Sequence, residues 1–167
     1  MNVRRLFSTE CEAYWDIRLQ SLQESPEAYG STYEEESAFT AEVRAQRCQW
    51  SDDHFVVGAF NESERLVGII GLIRETRIKS RHKAVVTGLY VVPEYRAHGI
   101  GGKLVKALLD EARRIPGLTR LQIFVIGGND VAKTLYERLG FEVYGIEPDA
   151  KRQNGISFDM IQMTLGI

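Results

Sequence analysis

The sequence predicts an α/β fold, one domain over residues 1–167 built on a mixed central sheet, and three observations carry this expectation. Two apolar runs of strand length, His54–Phe60 and Arg65–Arg74, flank the polar stretch Asn61–Glu64, the spacing of an antiparallel hairpin. A strand-like run from Ala84 to Val92, an amphipathic helix and a second strand at Leu121–Ile126 follow. A crossover of that length puts the two strands parallel, with a right-handed connection. Phe141–Gly145 and Ser157–Leu165 supply the last two strands, joined by a polar loop containing Pro148 and Gly155.

The elements before the hairpin are helical. Asn2–Phe7 reads as a short first strand, and Ser8 or Thr9 offers a cap for a helix from about Glu10 to Glu24, with Trp15, Leu19 and Leu22 on its apolar stripe. Ser25-Pro26-Glu27 reads as a restart with Pro in a first turn. Ser31-x-x-Glu34 and Thr32-x-x-Glu35 both fit capping boxes, so the acidic run Glu34–Glu36 reads as a solvated helix start. Thr40 caps a further helix through about Trp50. Lys79–Lys83 is a basic turn into the Ala84 strand, which makes that strand a third antiparallel neighbour.

Composition narrows the function classes. Net charge is −2 with both signs interspersed, which gives no basic footprint for nucleic acid. The longest apolar run, Leu66–Ile73, suits a buried strand and is too short for a membrane span. No apolar segment follows the arginines of Met1–Ser8, unlike a signal peptide. Cys11 and Cys48 lie far apart without metal-ligand spacing and read as free thiols of a reducing, cytoplasmic compartment, with no metal expected.

The most informative stretch is Ala84–Ile115. Pro93, without an N–H, ends the strand, and Leu104, Val105, Leu108, Leu109, Ala112 and Ile115 recur at helical spacing. Between them, Arg96-Ala97-His98-Gly99-Ile100-Gly101-Gly102 concentrates glycine where the helix begins. Glycine permits close backbone approach, and first-turn N–H groups together with the helix dipole form an anion site; a tight turn without ligand is the plain alternative. The dinucleotide fingerprint fails because Leu104 replaces its third glycine, and the triphosphate loop fails because Leu104 follows Gly102-Lys103. Downstream, Asn129 is placed to cap a helix whose apolar face includes Val131, Ala132, Leu135, Tyr136 and Leu139, and Gly140 to stop it.

Two blocks, Arg96-Ala97-His98-Gly99-Ile100-Gly101 after Val91-Val92-Pro93-Glu94-Tyr95, and Asn129 through Phe141, resemble the acyl-CoA loop and the following helix of the GCN5-related N-acetyltransferase (GNAT) superfamily. The resemblance extends through the order of elements along the whole chain. It implies the GNAT fold: a mixed, mostly antiparallel sheet with helices on both faces and a parallel strand pair splayed at the CoA site. It also implies acetyl-CoA as cosubstrate. Its pyrophosphate is expected on Arg96, His98, Gly99, Gly101 and Gly102, and its pantetheine arm along Leu89, Val91 and Val92, with the Val91 N–H polarising the thioester carbonyl. Ala97 stands where many members have glycine.

Asn129 and Tyr136, two helical turns apart, share a face and suit two contacts along one extended ligand. The resemblance gives Tyr136 the role of acid toward the departing thiolate, which a phenol of pKa about 10 can protonate. A packed aromatic and an ordinary cap are the bland alternatives. The strand Ala84–Tyr90 has no carboxylate to act as general base, and Glu75, His82 or a water chain are the substitutes, none of them singled out. Family analogy places the acceptor near Ser25–Phe39 and Glu147–Phe158, where Tyr29, Tyr33 and Phe39 line a pocket or pack beneath a helix.

The expectation is therefore an acetyl-CoA-dependent N-acetyltransferase acting by direct transfer in a ternary complex, on a small amine in preference to a protein, as a monomer or homodimer. A non-catalytic acyl-CoA-binding module and a protein acetyltransferase are the rivals.

Overall fold

The computed structural model describes residues 1–167. Its centre is one seven-stranded sheet in the order β1-β2-β3-β4-β5-β7-β6, with β1 at Asn2–Arg5, β2 at His54–Phe60, β3 at Leu66–Arg74, β4 at Lys83–Val91, β5 at Arg120–Ile126, β6 at Glu142–Gln153 and β7 at Ile156–Gly166. All neighbours are antiparallel except β4 and β5. The hairpin, the crossover and the mixed sheet thus stand as the residue pattern predicts.

Helices cover both faces. On one side lie α1 (Cys11–Glu24), the short α2 (Tyr33–Ser37) and α3 (Ala41–Arg47); on the other lie α4 (Ile100–Arg113) and α5 (Asp130–Arg138). The apolar stripe of α4, Leu104, Val105, Leu108, Leu109 and Ala112, packs with β-strand residues such as Phe55, Val57, Val67, Ile70 and Leu72 in a cluster of 22 buried residues. Ile17 of α1 closes a smaller cluster with Leu6, Val56, Phe60, Ile69 and Tyr90. β2 and β3 lie between these layers. Their near-continuous apolar sequence follows from burial on both faces.

Several local expectations change. The α1 caps are not made by Ser8 or Thr9, because a 3-10 turn at Ser8–Glu10 precedes the helix and Glu10 holds Arg4 and the Phe7 N–H instead. Of the two possible capping boxes, Thr32 with Glu35 forms: Thr32 Oγ1 accepts from the Glu35 N–H and the Glu35 carboxylate accepts from the Thr32 N–H. The loop expected around Pro148 is strand, and only Asn154-Gly155 turn the chain between β6 and β7. Pro148 is accommodated because β6 is an edge strand and bulges between Glu147 and Lys151.

Cys11 and Cys48 are not free thiols. α1 and the residue ending α3 meet with Cα atoms 5.6 Å apart, and the two sulfurs form a disulfide. Sequence separation concealed a pairing that the antiparallel return of the helices creates, and the thiol argument for a reducing compartment falls with it. No helix is long and apolar enough to cross a membrane.

Candidate active site

The site grows from the way β4 parts from β5. Their parallel register runs Lys83↔Arg120 to Val86↔Ile123 and then stops. Immediately afterwards β4 bulges: Ile69 faces Tyr90 but Gly71 faces Thr87, so Gly88 and Leu89 together oppose Ile70. Gly88 supplies the positive φ of 63° that the bulge requires. Beyond it, Val92 donates to the Val67 carbonyl at 3.0 Å. Because backbone groups alternate along a strand, the N–H and carbonyl of Val91 face away from β3, toward the side where β5 has left. The splay leaves the end of β4 with an unpaired strand edge.

At the far end of this edge α4 begins. Gly99 takes the left-handed conformation (φ 73°), and Ala97 does too, at φ 62°. Lys103 is the first α4 residue to donate backward, to the Gly99 carbonyl at 3.2 Å; the N–H groups of Ile100, Gly101 and Gly102 have no partner within the chain. Three unused donors at the positive end of a 14-residue helix form an anion cradle.

Strand edge and cradle line one groove of about 930 Å³. Leu89, Val91, Arg96, Gly99, Gly101, Gly102 and Asn129, all singled out from the sequence, lie on its wall. Val92 and His98 do not. Val92 is buried in the smaller core cluster with its N–H spent on Val67. His98 is exposed, its Nδ1 2.7 Å from the Arg96 carbonyl. Arg96 does not project freely: its Nε donates to the Val91 carbonyl at 2.7 Å and its Nη2 to Glu24 at 3.0 Å.

Between the splayed strands a slot of about 100 Å³ leads inward past Leu89, Asn129 and Tyr136. Tyr136 is 3% exposed, packed edge-to-face on Phe141 at 5.6 Å. Its hydroxyl has no hydrogen-bond partner in the chain, and burial, with a smaller contribution from Tyr29, pushes its pKa upward, so it remains a proton donor at neutral pH. The Asn129 Oδ1 accepts from the Ala132 N–H at 3.1 Å as a helix cap.

Across the splay a second cavity, of about 500 Å³, opens under α1 and α2. Here lies the feature that the residue pattern hid: Glu36, read as solvated, is 4% exposed and accepts from Arg18 at 2.9 and 2.6 Å and from the Ser31 hydroxyl. Burial works to raise the Glu36 pKa, but the Arg18 and Ser31 hydrogen bonds outweigh it and leave the carboxyl below its usual range. Tyr29, 4.7 Å from the Arg18 guanidinium, lines this cavity, the slot and the groove alike. Phe39 packs on Trp15 at 5.9 Å instead. Tyr33 faces a third cavity of about 790 Å³, between Tyr29–Glu34 and Lys151–Asn154, which shares Tyr29, Gly30, Ser31 and Lys151 with the second.

Glu75 and His82 flank the opposite end of β4: Glu75 donates its N–H to the Lys83 carbonyl, eight residues from Val91, or roughly 25 Å at the usual strand rise. Neither reaches the slot.

The acetyltransferase (GNAT) family model matches residues 14–141, most of the chain. The chain belongs to this family. Among relatives of the family, the L-methionine sulfoximine/L-methionine sulfone acetyltransferase of Pseudomonas aeruginosa is 33% identical over 79 residues, covering 47% of this chain and 45% of that protein. The [ribosomal protein bS18]-alanine N-acetyltransferase of Escherichia coli is 30% identical over 112 residues, 63% of this chain and 72% of that one. The chain spans between 39% and 54% of the length of several other curated relatives that it matches. The structure of yncA from Salmonella typhimurium, with its cofactor acetyl-CoA, superposes with a TM-score of 0.85 at 21% identity, over 99% of this chain and 93% of that one. The GNAT fold is therefore shown, with its parallel pair at β4 and β5.

Proposed function

We propose that the chain is an acetyl-CoA-dependent N-acetyltransferase that acts on a small primary amine by direct attack in a ternary complex. One observation carries the reading. The groove with three unused α4 N–H groups and the open edge of β4 meets the acceptor-side cavity at the slot beneath Tyr136. A long polyanionic thioester laid in the groove puts its phosphates at Gly99–Gly102 and its amides along Leu89–Val91. Its reactive end then reaches the slot.

The chemistry needs little from side chains. The neutral amine nitrogen attacks the thioester carbonyl carbon, and the C–N bond forms as the C–S bond breaks. The Val91 N–H is the donor for the carbonyl oxygen as it gains charge. The sulfur leaves with the bonding pair, takes a proton from the Tyr136 hydroxyl, and departs as the CoA thiol. The nitrogen loses one proton, which restores Tyr136 through solvent, and the product is an N-acetyl amide. The disulfide leaves neither Cys11 nor Cys48 as a nucleophile, which favours direct transfer over an acetyl-cysteine route.

The deciding experiment is calorimetric titration with acetyl-CoA, in wild type and in Gly101→Glu. A Cβ at Gly101 meets only Leu135 Cδ2 at 3.4 Å, so the variant keeps its fold while placing a carboxylate in the cradle. Binding that the variant loses, followed by turnover on an amine panel, is expected. Binding without turnover on any amine favours a non-catalytic acyl-CoA module. A second reading, a protein acceptor, draws on the third cavity, which adjoins the second at Tyr29, Gly30, Ser31 and Lys151 and so widens the acceptor side; turnover of peptides in preference to small amines would select it.

A further inference from the structure

We propose that the acceptor carries an anionic group beside its amine, a carboxylate or an equivalent oxyanion, and that Lys151, with Arg47, binds it on the outer wall of the cavity under α1. The inference rests on the transferase reading above and names its substrate class.

The charges that face this cavity are unbalanced. Arg18, Arg47 and Lys151 line it, and Glu36 is the one carboxylate on the same wall. Glu36 is already spent: both its oxygens accept from Arg18, and Ser31 adds a third bond. Arg47 makes no ion pair, and its guanidinium rests 4.3 Å over the Phe39 ring. Lys151 is half-buried, makes no ion pair or hydrogen bond, and burial lowers its pKa. A partly desolvated ammonium without a counter-ion is held at some cost, which a bound anion would offset. His54, on the same wall, has its pKa lowered by burial and then by Arg47, and so stays neutral at pH 7.

The fold presents Lys151 for this purpose. Lys151 sits where β6 resumes pairing, opposite Phe158, after its bulge, so the irregularity that accommodates Pro148 also brings an edge-strand side chain over the cavity. On the inner side, Arg18 Nη1 is not engaged by Glu36 and lies within 3.9 Å of where a Cβ on Gly88 would stand, at the bulge that opens the slot. An acceptor with its anion at Lys151 and its amine toward Gly88 spans the cavity from mouth to slot. The size, about 500 Å³, suits a molecule of amino-acid dimensions.

The same charge distribution bears on the missing base. A cation-lined cavity disfavours an ammonium and so promotes loss of the amine proton before attack. A simple alkylammonium is repelled by that wall, whereas an amine that brings its own carboxylate is held by it.

The test compares free α-amino acids with their carboxamides, matched in side chain, in steady-state acetylation followed by loss of thioester absorbance, alongside acetyl-CoA calorimetry. The acid is expected to show a kcat/KM at least ten-fold above its amide. Lys151→Met is expected to erase that preference, and Lys151→Arg to retain it. Equal use of acid and amide by the wild type overturns the proposal, and so does a preference for neutral or peptide amines; neither result depends on a variant folding. Acetylation of neutral amines alone leaves the transferase reading intact while removing this one, whereas failure of acetyl-CoA to bind removes both.

Discussion

Arg96 donates its Nε to the carbonyl of Val91 at 2.7 Å, across the turn that the chain makes as it leaves β4. The guanidinium then continues to Glu24 at the end of α1, at 3.0 Å. One side chain thus fixes the direction of the open strand edge, the start of the glycine loop and the last turn of α1. Arg96→Ala is expected to weaken acetyl-CoA binding about ten-fold, which corresponds to the loss of about 1.4 kcal/mol. Arg96→Lys should recover little of this, since a single ammonium does not reproduce the planar fork. Calorimetry on the two variants decides, and unchanged affinity in Arg96→Ala would remove Arg96 from the donor site.

Tyr136 offers a different separation. Its hydroxyl makes no bond that holds the fold, and its ring is fixed by Phe141 and the surrounding core. Tyr136→Phe should therefore leave thermal stability and acetyl-CoA affinity almost untouched and lower kcat by about 10²-fold, the usual scale of general acid catalysis. A kcat within two-fold of wild type would remove Tyr136 from the mechanism.

Ala97 holds a left-handed backbone at φ 62° with an exposed side chain. An L-residue with a Cβ pays about 1 kcal/mol there relative to glycine. Ala97→Gly is expected to raise the melting temperature by roughly 2–4 °C. A lower melting temperature would mean that the loop depends on the methyl group.

The disulfide closes a loop of 37 residues. In the chain-entropy view that loop is worth about 4 kcal/mol, or roughly 10 °C in melting temperature for a chain of this size. Comparing oxidised protein with the Cys11→Ser, Cys48→Ser double variant measures it. Identical melting curves would show that the bridge does not form in solution.

Glu36 and Arg18 supply a pH signature. The Glu36 carboxyl lies below its ordinary range in the folded chain, so its stabilising contribution is complete above the unfolded value of about 4.3 and is lost as pH falls through the folded value. Arg18→Met strands the carboxylate, 5% exposed, at a cost of about 3–5 kcal/mol near neutrality. The cost should shrink toward pH 4, where Glu36 protonates in the variant. Denaturant titrations at pH 7 and pH 4 check this; an equal cost at both would mean that the pair contributes packing alone.

The strands, the hairpin and the parallel crossover were legible because hydrophobic period and turn residues agree along the chain: His54–Phe60 is a strand in both readings, and Asn129 caps α5 as its position before the helix implies. What escaped depended on distant neighbours. Glu36 sits in an acidic run that looks solvated, and its burial becomes apparent only when α1 brings Arg18 against α2. Cys11 and Cys48 meet for the same reason. Pro148 reads as a loop residue until β6 is known to be an edge strand. One signal was available locally: Gly88 interrupts an otherwise apolar strand, the usual mark of a bulge, and it stands where the slot opens.

The parting of β4 from β5 also separates two sets of lining residues. The groove is lined mainly by β4, α4 and α5, with Ser25–Tyr29 at its edge, whereas the cavity under α1 draws on α1, the Ala28–Glu36 segment, the faces of β2–β4 and Lys151 of β6. Substitutions in the second set can retune what is acetylated while the donor half stays as it is. Grafting residues 30–54 and the tip of the β6–β7 ribbon between relatives is then a route to exchange acceptors on a constant transferase frame.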